Sequence, residues 1–328
     1  MKLKDVKWFI HVNEPLLLNA YATPKGIDNH VRYVEVLRAI RQGLDEAGLS
    51  FIGNMGPDTC TLRYWPIPRM LRKNADPDPF IQAYCMHHYH SRFDWDKKSN
   101  TTVSDPMSIT INKQVIPYCN YAHERNKPFL MTELGMFHYG WRWGDPAGVA
   151  RHDNVLLETE FFVRAMNAKV DGILRWAWLN PGNLDGMWQL IETIDKSDKP
   201  VLNSYYGYAT LMRYIDKNAK ILLNRITYPK GELKTVHTVA VLNSDKSRSL
   251  LVVNNHYNKC VKILIKFPLG KAKKVTKIVN DPVRKHYNCG EIKTLSGELE
   301  YLDVLSPMSL TVYTTKEYKT PLIESIGV

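Results

Sequence analysis

The chain has 328 residues, 44% of them hydrophobic and 23% charged, the proportions of a packed globular protein with room for one large and one smaller domain. No apolar run reaches the roughly 18 residues of a membrane span, and the opening MKLKDVKWFI lacks the apolar stretch of a secretion signal, so a membrane partner is not expected and no compartment follows. Most of the net charge of +11 lies in residues 217–328, which carry 19 Lys and Arg against 9 Asp and Glu. These lysines are spread along apparent strands such as KCVKILIK and accompany no nucleic-acid motif; a solvated basic face is expected, with a polyanion-binding surface as the alternative. The five cysteines, Cys60, Cys85, Cys119, Cys260 and Cys289, are widely spaced with no CxxC pair. They read as reduced thiols, neither a zinc site nor a disulfide framework.

In chain order, FIHVNEP is an apolar strand that ends in Asn13, Glu14 and Pro15. NHVRYVEVLRAIRQGLDEAGL sets Val31, Val34, Val36, Leu37, Ile40 and Leu44 at helical spacing and closes on Gly48. SFIGNMGP and FIQAYCMHHYH read as strands, the second ending in polar aromatics. PMSITINKQVIPYCNYAHERN predicts a helix that its interior Pro117 opposes. KPFLMTELG is a strand ending in a carboxylate, NVLLETEFFVRAMNAKV an amphipathic helix, DGILRWAWLNPGN a strand and VLNSYYGYATLMRYI a helix. Five strands alternating with helices predict a parallel α/β architecture. After residue 218 seven short β runs follow without helices, from KILLNRITY to SLTVYTT, the pattern of an antiparallel sandwich. Two domains are therefore expected, 1–217 and 218–328.

In the α/β part, polar residues recur at strand C-termini: Glu14, then His88, Tyr89 and His90, then Glu133, then Trp176 and Trp178. In a (β/α)8 barrel this is the face where active sites lie. Two strand-end glutamates meeting across one mouth would supply the paired carboxylates of glycoside hydrolysis, although a single strand-end Glu is more often a surface or capping residue.

The ordered set NEP, GP, H-x-Y, T-E-L-G and a Trp-bearing last strand resembles clan A glycoside hydrolases, the retaining (β/α)8 glycosidases. VNEP, FIGNMGPDT, HHYH and PFLMTELGMF look most like the branch of β-xylosidases and iduronidases, which also carry a small sandwich after the barrel. The resemblance covers residues 5 to 215 in ordered motifs and the sandwich by architecture alone. It implies that Glu14 is the acid/base, with a raised pKa, and Glu133 the ionised nucleophile. It further implies that Asn13 bonds the sugar 2-hydroxyl, Tyr89 donates to Glu133, and His87 or His88 lines the subsite, while His11 reads as a core residue. Tyr139, Trp141, Trp143, Trp176 and Trp178 are candidate sugar-stacking or core aromatics; alternation puts Trp176 and Trp178 on one side of their strand. Two carboxylates and water suffice, so neither metal nor organic cofactor is implied, and the partner is an oligo- or polysaccharide.

The family places the Asn-Glu motif at the end of barrel strand four, and here that strand begins at residue 8. The expectation is an incomplete (β/α)8 barrel, strands four to eight, with exposed edges that a complementing chain or self-association would close. Three readings follow: an inactive portion of a retaining glycosidase, one activated by a complementing barrel half, or a non-catalytic carbohydrate-binding or structural protein. Sugar, linkage, exo or endo action and oligomeric state do not follow from the sequence.

Overall fold

The computed structural model describes residues 5–15, 28–60, 66–70, 72, 74–91, 107, 110–137, 152–177, 190, 202–228, 235–293 and 297–317. They divide into two units, the first drawn from residues 1–89, 109–134 and 168–175, the second from 90–108, 135–167 and 176–328. Among the described residues no helix is long and apolar enough to cross a membrane.

The first unit is built on a five-stranded sheet of β1 (Trp8–Phe9), β2 (Gly53–Thr59), β3 (Ala83–Ser91), β4 (Phe129–Phe137) and β5 (Gly172–Arg175), in that order across the sheet. Pairing is parallel between β1 and β2, β2 and β3, and β4 and β5. A parallel sheet whose strands follow the chain without reversal is the winding of a barrel; a doubly wound sheet would reverse at a switch point. Every residue of β2 is buried, as expected when both faces of a parallel sheet are covered. Met55, Ala83, Cys85 and Leu130 form a core cluster on which Trp8 and Ile10 pack. β1 is shorter than FIHVNEP suggested: Trp8 and Phe9 are its paired residues, and residues 11–15 are bends and a turn with Glu14 at φ 48°.

Helix α1 (Asn29–Glu46) starts at Asp28, whose side chain accepts from the His30 N–H. It buries Tyr33, Val34 and Leu37, and Gly48 ends it at φ 72°. There the Leu49 N–H bonds Leu44 O and the Gly48 N–H bonds Asp45 O, the paired closure that needs a left-handed residue. The conflict raised by Pro117 disappears in three dimensions. A π-helical turn (Ile111–Val115), in which the Ile116 N–H reaches back to Ile111 O, runs into α2 (Ile116–His123), and the widened turn just before Pro117 accommodates a residue that has no N–H to give the preceding turn.

The second unit holds α3 (His152–Asn167), α4 (Leu202–Met212) and eight strands. These are β6 (Lys220–Leu222), β7 (Val236–Leu242), β8 (Arg248–Asn254), β9 (Val261–Pro268), β10 (Lys274–Asn280), β11 (Tyr287–Lys293), β12 (Glu298–Leu305) and β13 (Ser309–Thr314). Six form an antiparallel sheet ordered β11-β10-β13-β8-β7-β6, and β12 pairs with β9. The two sheets share one core, with Val252, Val275 and Tyr313 of the larger meeting Ile265, Phe267 and Leu299 of the smaller. α3 packs on β7, β8 and β13, and α4 on β10 and β13, so the central strands β8 and β13 are buried on both faces.

Two sequence expectations change here. β11 was not anticipated: YNCGEIK is exposed at nearly every position, an edge strand with no apolar alternation to betray it. The amphipathic pattern of α3 predicted a wet polar face, yet Glu160 and Arg164 are buried. They pair at 2.8 Å, Arg164 donates to His237 Nε2 at 2.7 Å, and Asn255 donates to Glu160 at 2.9 Å. Where α3 crosses α4, Gly207 makes the approach: a Cβ there would sit 2.0 Å from Val155 Cγ1.

Candidate active site

Glu14 follows β1, Asp58 lies in β2, His87 and Tyr89 in β3, and Thr132 and Glu133 in β4. The order of the sheet, with β1 beside β2, β2 beside β3 and β3 beside β4, brings these residues of neighbouring strands together. His87 Nδ1 lies 2.8 Å from Glu14 Oε1 and 3.3 Å from Glu133 Oε2. The Tyr89 hydroxyl donates to Glu133 Oε2 at 2.6 Å. One carboxylate oxygen of Glu14 and one of Glu133 fall within 4.8 Å of each other. Of the two adjacent histidines it is His87 that reaches the acids; strand alternation places His88 on the other face.

Asp58 is the residue that sequence reasoning passed over, although GPDT stood among the motifs. It is 1% exposed, accepts from Thr132 Oγ1 at 2.6 Å, and sets Oδ1 3.3 Å from His87 Nε2, an ion-pair contact outside hydrogen-bond alignment. Its carbonyl accepts from the Glu14 N–H at 3.2 Å. Asp58 thus ties together residues after β1, on β3 and on β4. Both Glu14 and Asp58 hold positive φ, 48° and 51°, a conformation that costs about 1–2 kcal/mol per non-glycine residue and is retained where surroundings impose it. No helical or alternating pattern reports such a residue.

The charges are unequal. Burial alone would lower the His87 pKa, but its contacts with Asp58 and Glu14 and the charge of Glu133 outweigh burial and hold it at about 9. His87 is therefore an imidazolium at neutral pH, set between two carboxylates. Burial raises the Glu133 pKa; Tyr89 and the His87 charge oppose this, Glu14 and Asp58 add to it, and the balance stays above the ordinary carboxylate range. Burial, the bond to Glu133 and the neighbouring acid charges keep Tyr89 protonated, hence a donor, against the opposing charge of Arg175 at the end of β5. Burial and the Glu14 charge push the Cys60 thiol up to about 11, and burial and Asp58 push Cys85 up as well, so neither is a ready nucleophile.

The raised His87 pKa predicts a pH dependence of stability. A folded value of about 9 against 6.5 unfolded contributes about 3 kcal/mol, fully present below pH 6.5 and lost as pH rises through 9. Denaturant unfolding across that window should show the loss in the wild type and a flatter profile in His87→Gln. Equal slopes would refute it.

Asn13 is exposed beside Glu14, and His11 packs its ring on Tyr33 at 5.0 Å. Burial lowers the His11 pKa to about 4 against the pull of Asp58, so this histidine is neutral. Trp176 follows β5 and is 44% exposed. Tyr139, Trp141, Trp143 and Trp178 lie outside the described residues.

No family model and no curated protein sequence matches the chain. Solved structures do. A GH30 endoxylanase from Clostridium papyrosolvens C71 aligns at TM-score 0.60 and 14% identity over 94% of this chain and 65% of its own. A Paenibacillus polymyxa xyloglucanase from glycoside hydrolase family 44 aligns at 0.59 and 13%, covering 94% and 66%. A GH51 arabinofuranosidase from Xanthomonas axonopodis pv. citri reaches 0.64 and 15%, covering 94% and 66%. The fold is that of clan A glycoside hydrolases. At such identity the likeness is one of fold, and the chain spans less than two thirds of the length of these proteins.

Proposed function

We propose that this chain carries the catalytic pair of a retaining glycoside hydrolase, with Glu133 as nucleophile and Glu14 as acid/base. The observation that carries the reading is the convergence of the two carboxylates, with oxygens within 4.8 Å. Retaining enzymes set their carboxyl groups about 5–5.5 Å apart, whereas inverting ones leave about 6.5–9.5 Å for a water. The Tyr89 hydroxyl orients Glu133 and lowers the cost of its charge. The Glu14 carboxylate accepts from the His87 imidazolium at Nδ1, 2.8 Å away, which fixes its orientation toward Glu133. In the first step Glu133 attacks the anomeric carbon as Glu14 protonates the leaving oxygen; in the second, Glu14 takes a proton from the water that releases the sugar.

In this reading the five parallel strands occupy the places of barrel strands four to eight, and the chain divides near residue 217 into barrel and sandwich. Further polypeptide, from a longer chain, a second copy or another protein, closes the sheet beyond β1 and supplies the remaining subsite contacts. The substrate is an oligo- or polysaccharide; Asn13 and the aromatic residues Tyr139, Trp141, Trp176 and Trp178 are proposed to contact its sugar rings, and His88, on the other face of β3, is not.

The test is the anomer first released from a panel of aryl xylosides, arabinofuranosides and glucosides, followed by NMR. Retention is expected. Inversion would reject the double displacement. Glycan binding without hydrolysis that survives Glu14→Gln and Glu133→Gln would mark a non-catalytic binding protein instead.

A further inference from the structure

The donor atoms at the strand ends suit another ligand than sugar, and the geometry points to a Zn²⁺ site formed by Glu14, His87 and Glu133. The inference rests on the arrangement of these atoms, not on the glycosidase reading, and the bound ion would block sugar chemistry by occupying both carboxylates.

His87 Nδ1, a Glu14 oxygen and a Glu133 oxygen all lie within 4.8 Å of one another, and this is the group among the described residues whose donors converge so. Zinc binds nitrogen and oxygen at about 2.0–2.2 Å, which puts neighbouring donors of a tetrahedral ion ~3.3–3.5 Å apart. The His87–Glu133 spacing of 3.3 Å already meets that, and the His87–Glu14 spacing of 2.8 Å needs a small opening. Bringing the two carboxylates, now within 4.8 Å, onto one ion takes rotation of the glutamate side chains, which are 15% and 14% exposed.

The second observation is behind the imidazole. Histidines that bind metals usually present their other nitrogen to a carboxylate, which sets ring orientation and tautomer. Here a carboxylate stands in that place without hydrogen-bond alignment: Asp58 Oδ1 lies 3.3 Å from His87 Nε2 as an ion-pair contact, Thr132 Oγ1 holds the same oxygen at 2.6 Å, and a small turn of the ring on metal binding would complete the bond. Nδ1 is left facing the two glutamates. An incoming dication takes the place of the proton between Nδ1 and Glu14 and offsets the charges of three neighbouring acids. One imidazole with two carboxylates favours Zn²⁺ over Mg²⁺ or Ca²⁺, which prefer all-oxygen shells.

Calorimetric titration of the full chain with Zn²⁺ in mildly alkaline buffer should show one equivalent bound, and Co²⁺ in its place should give the visible absorption of a four- or five-coordinate ion. Glu14→Gln and His87→Gln should each weaken binding by ~100-fold or more, and Asp58→Asn by about 10–100-fold. Excess Mg²⁺ or Ca²⁺ should not compete. The fold of each variant is checked by circular dichroism first; should His87→Gln fail to fold, Glu14→Gln with the cobalt spectrum decides. Undiminished binding in the folded ligand variants, or no stoichiometric binding at all, overturns the site. A chain without hydrolytic activity still binds the ion if the proposal holds, so the two readings fail separately.

Discussion

Glu133→Ala is expected to lower turnover of an activated aryl glycoside by at least ~10³-fold and to regain much of it in azide. The substitution removes the attacking carboxylate, and no described neighbour can replace it. The Cys60 thiol is held protonated, with a pKa pushed up to about 11, and Glu14 lies on the leaving-group side in the proposed mechanism. Truncation leaves a space beside the Tyr89 hydroxyl, which now donates to Glu133 at 2.6 Å, and azide entering there attacks the same face as the lost carboxylate. The product would then be a glycosyl azide of inverted configuration. Glu133→Gln separates charge from shape: it keeps an acceptor for Tyr89 but should be as inactive as Ala. Unchanged turnover in Glu133→Ala, or a retained azide product, would remove Glu133 from its assigned role.

Asp58→Ala should be the most destabilising change in the first unit, at about 3–5 kcal/mol by denaturant unfolding at neutral pH. The reason is what it strands. Asp58 is 1% exposed, and losing it leaves the Thr132 hydroxyl without its 2.6 Å acceptor and the His87 imidazolium without its buried counter-charge. Asp58→Asn retains an acceptor for Thr132 and should cost less, about 1–3 kcal/mol. Both variants should lower the His87 pKa from about 9, because contacts with Asp58 are among the interactions that raise it. NMR titration of the His87 ring gives that readout directly. A His87 pKa unchanged in the two variants would show that Asp58 packs without holding the cluster.

The contrast between these two residues shows what the sequence makes legible. Glu133 follows the apolar run KPFLM in a T-E-L-G motif that draws attention to it, although the structure carries β4 on to Phe137 and so sets Glu133 within the strand and not at its end. Asp58 stands in GPDT, and its importance depends on a positive φ of 51° and on partners 29 and 74 residues away along the chain. Between His87 and His88 the sequence offered no choice; alternation on β3 makes it once β4 is known to lie alongside. Likewise α3 was readable as a helix, but that Glu160 and Arg164 would face His237 and Asn255 follows from the sheet packed against it.

Taken alone, the sequence determined everything that rests on short-range periodicity and local chemistry. That includes the alternation of strand and helix to residue 215, the run of β segments after it and the ending of α1 at Gly48. Those features are set by backbone sterics and by which side chains must leave water, both written within a few residues. Tertiary structure decided the rest: the sequential parallel order of the five strands, the edge strand β11, and the imidazolium clasped by Glu14, Glu133 and Asp58. Each depends on groups far apart in the chain coming within a few ångströms, where burial and charge reset one another's energies, and no local pattern encodes that meeting.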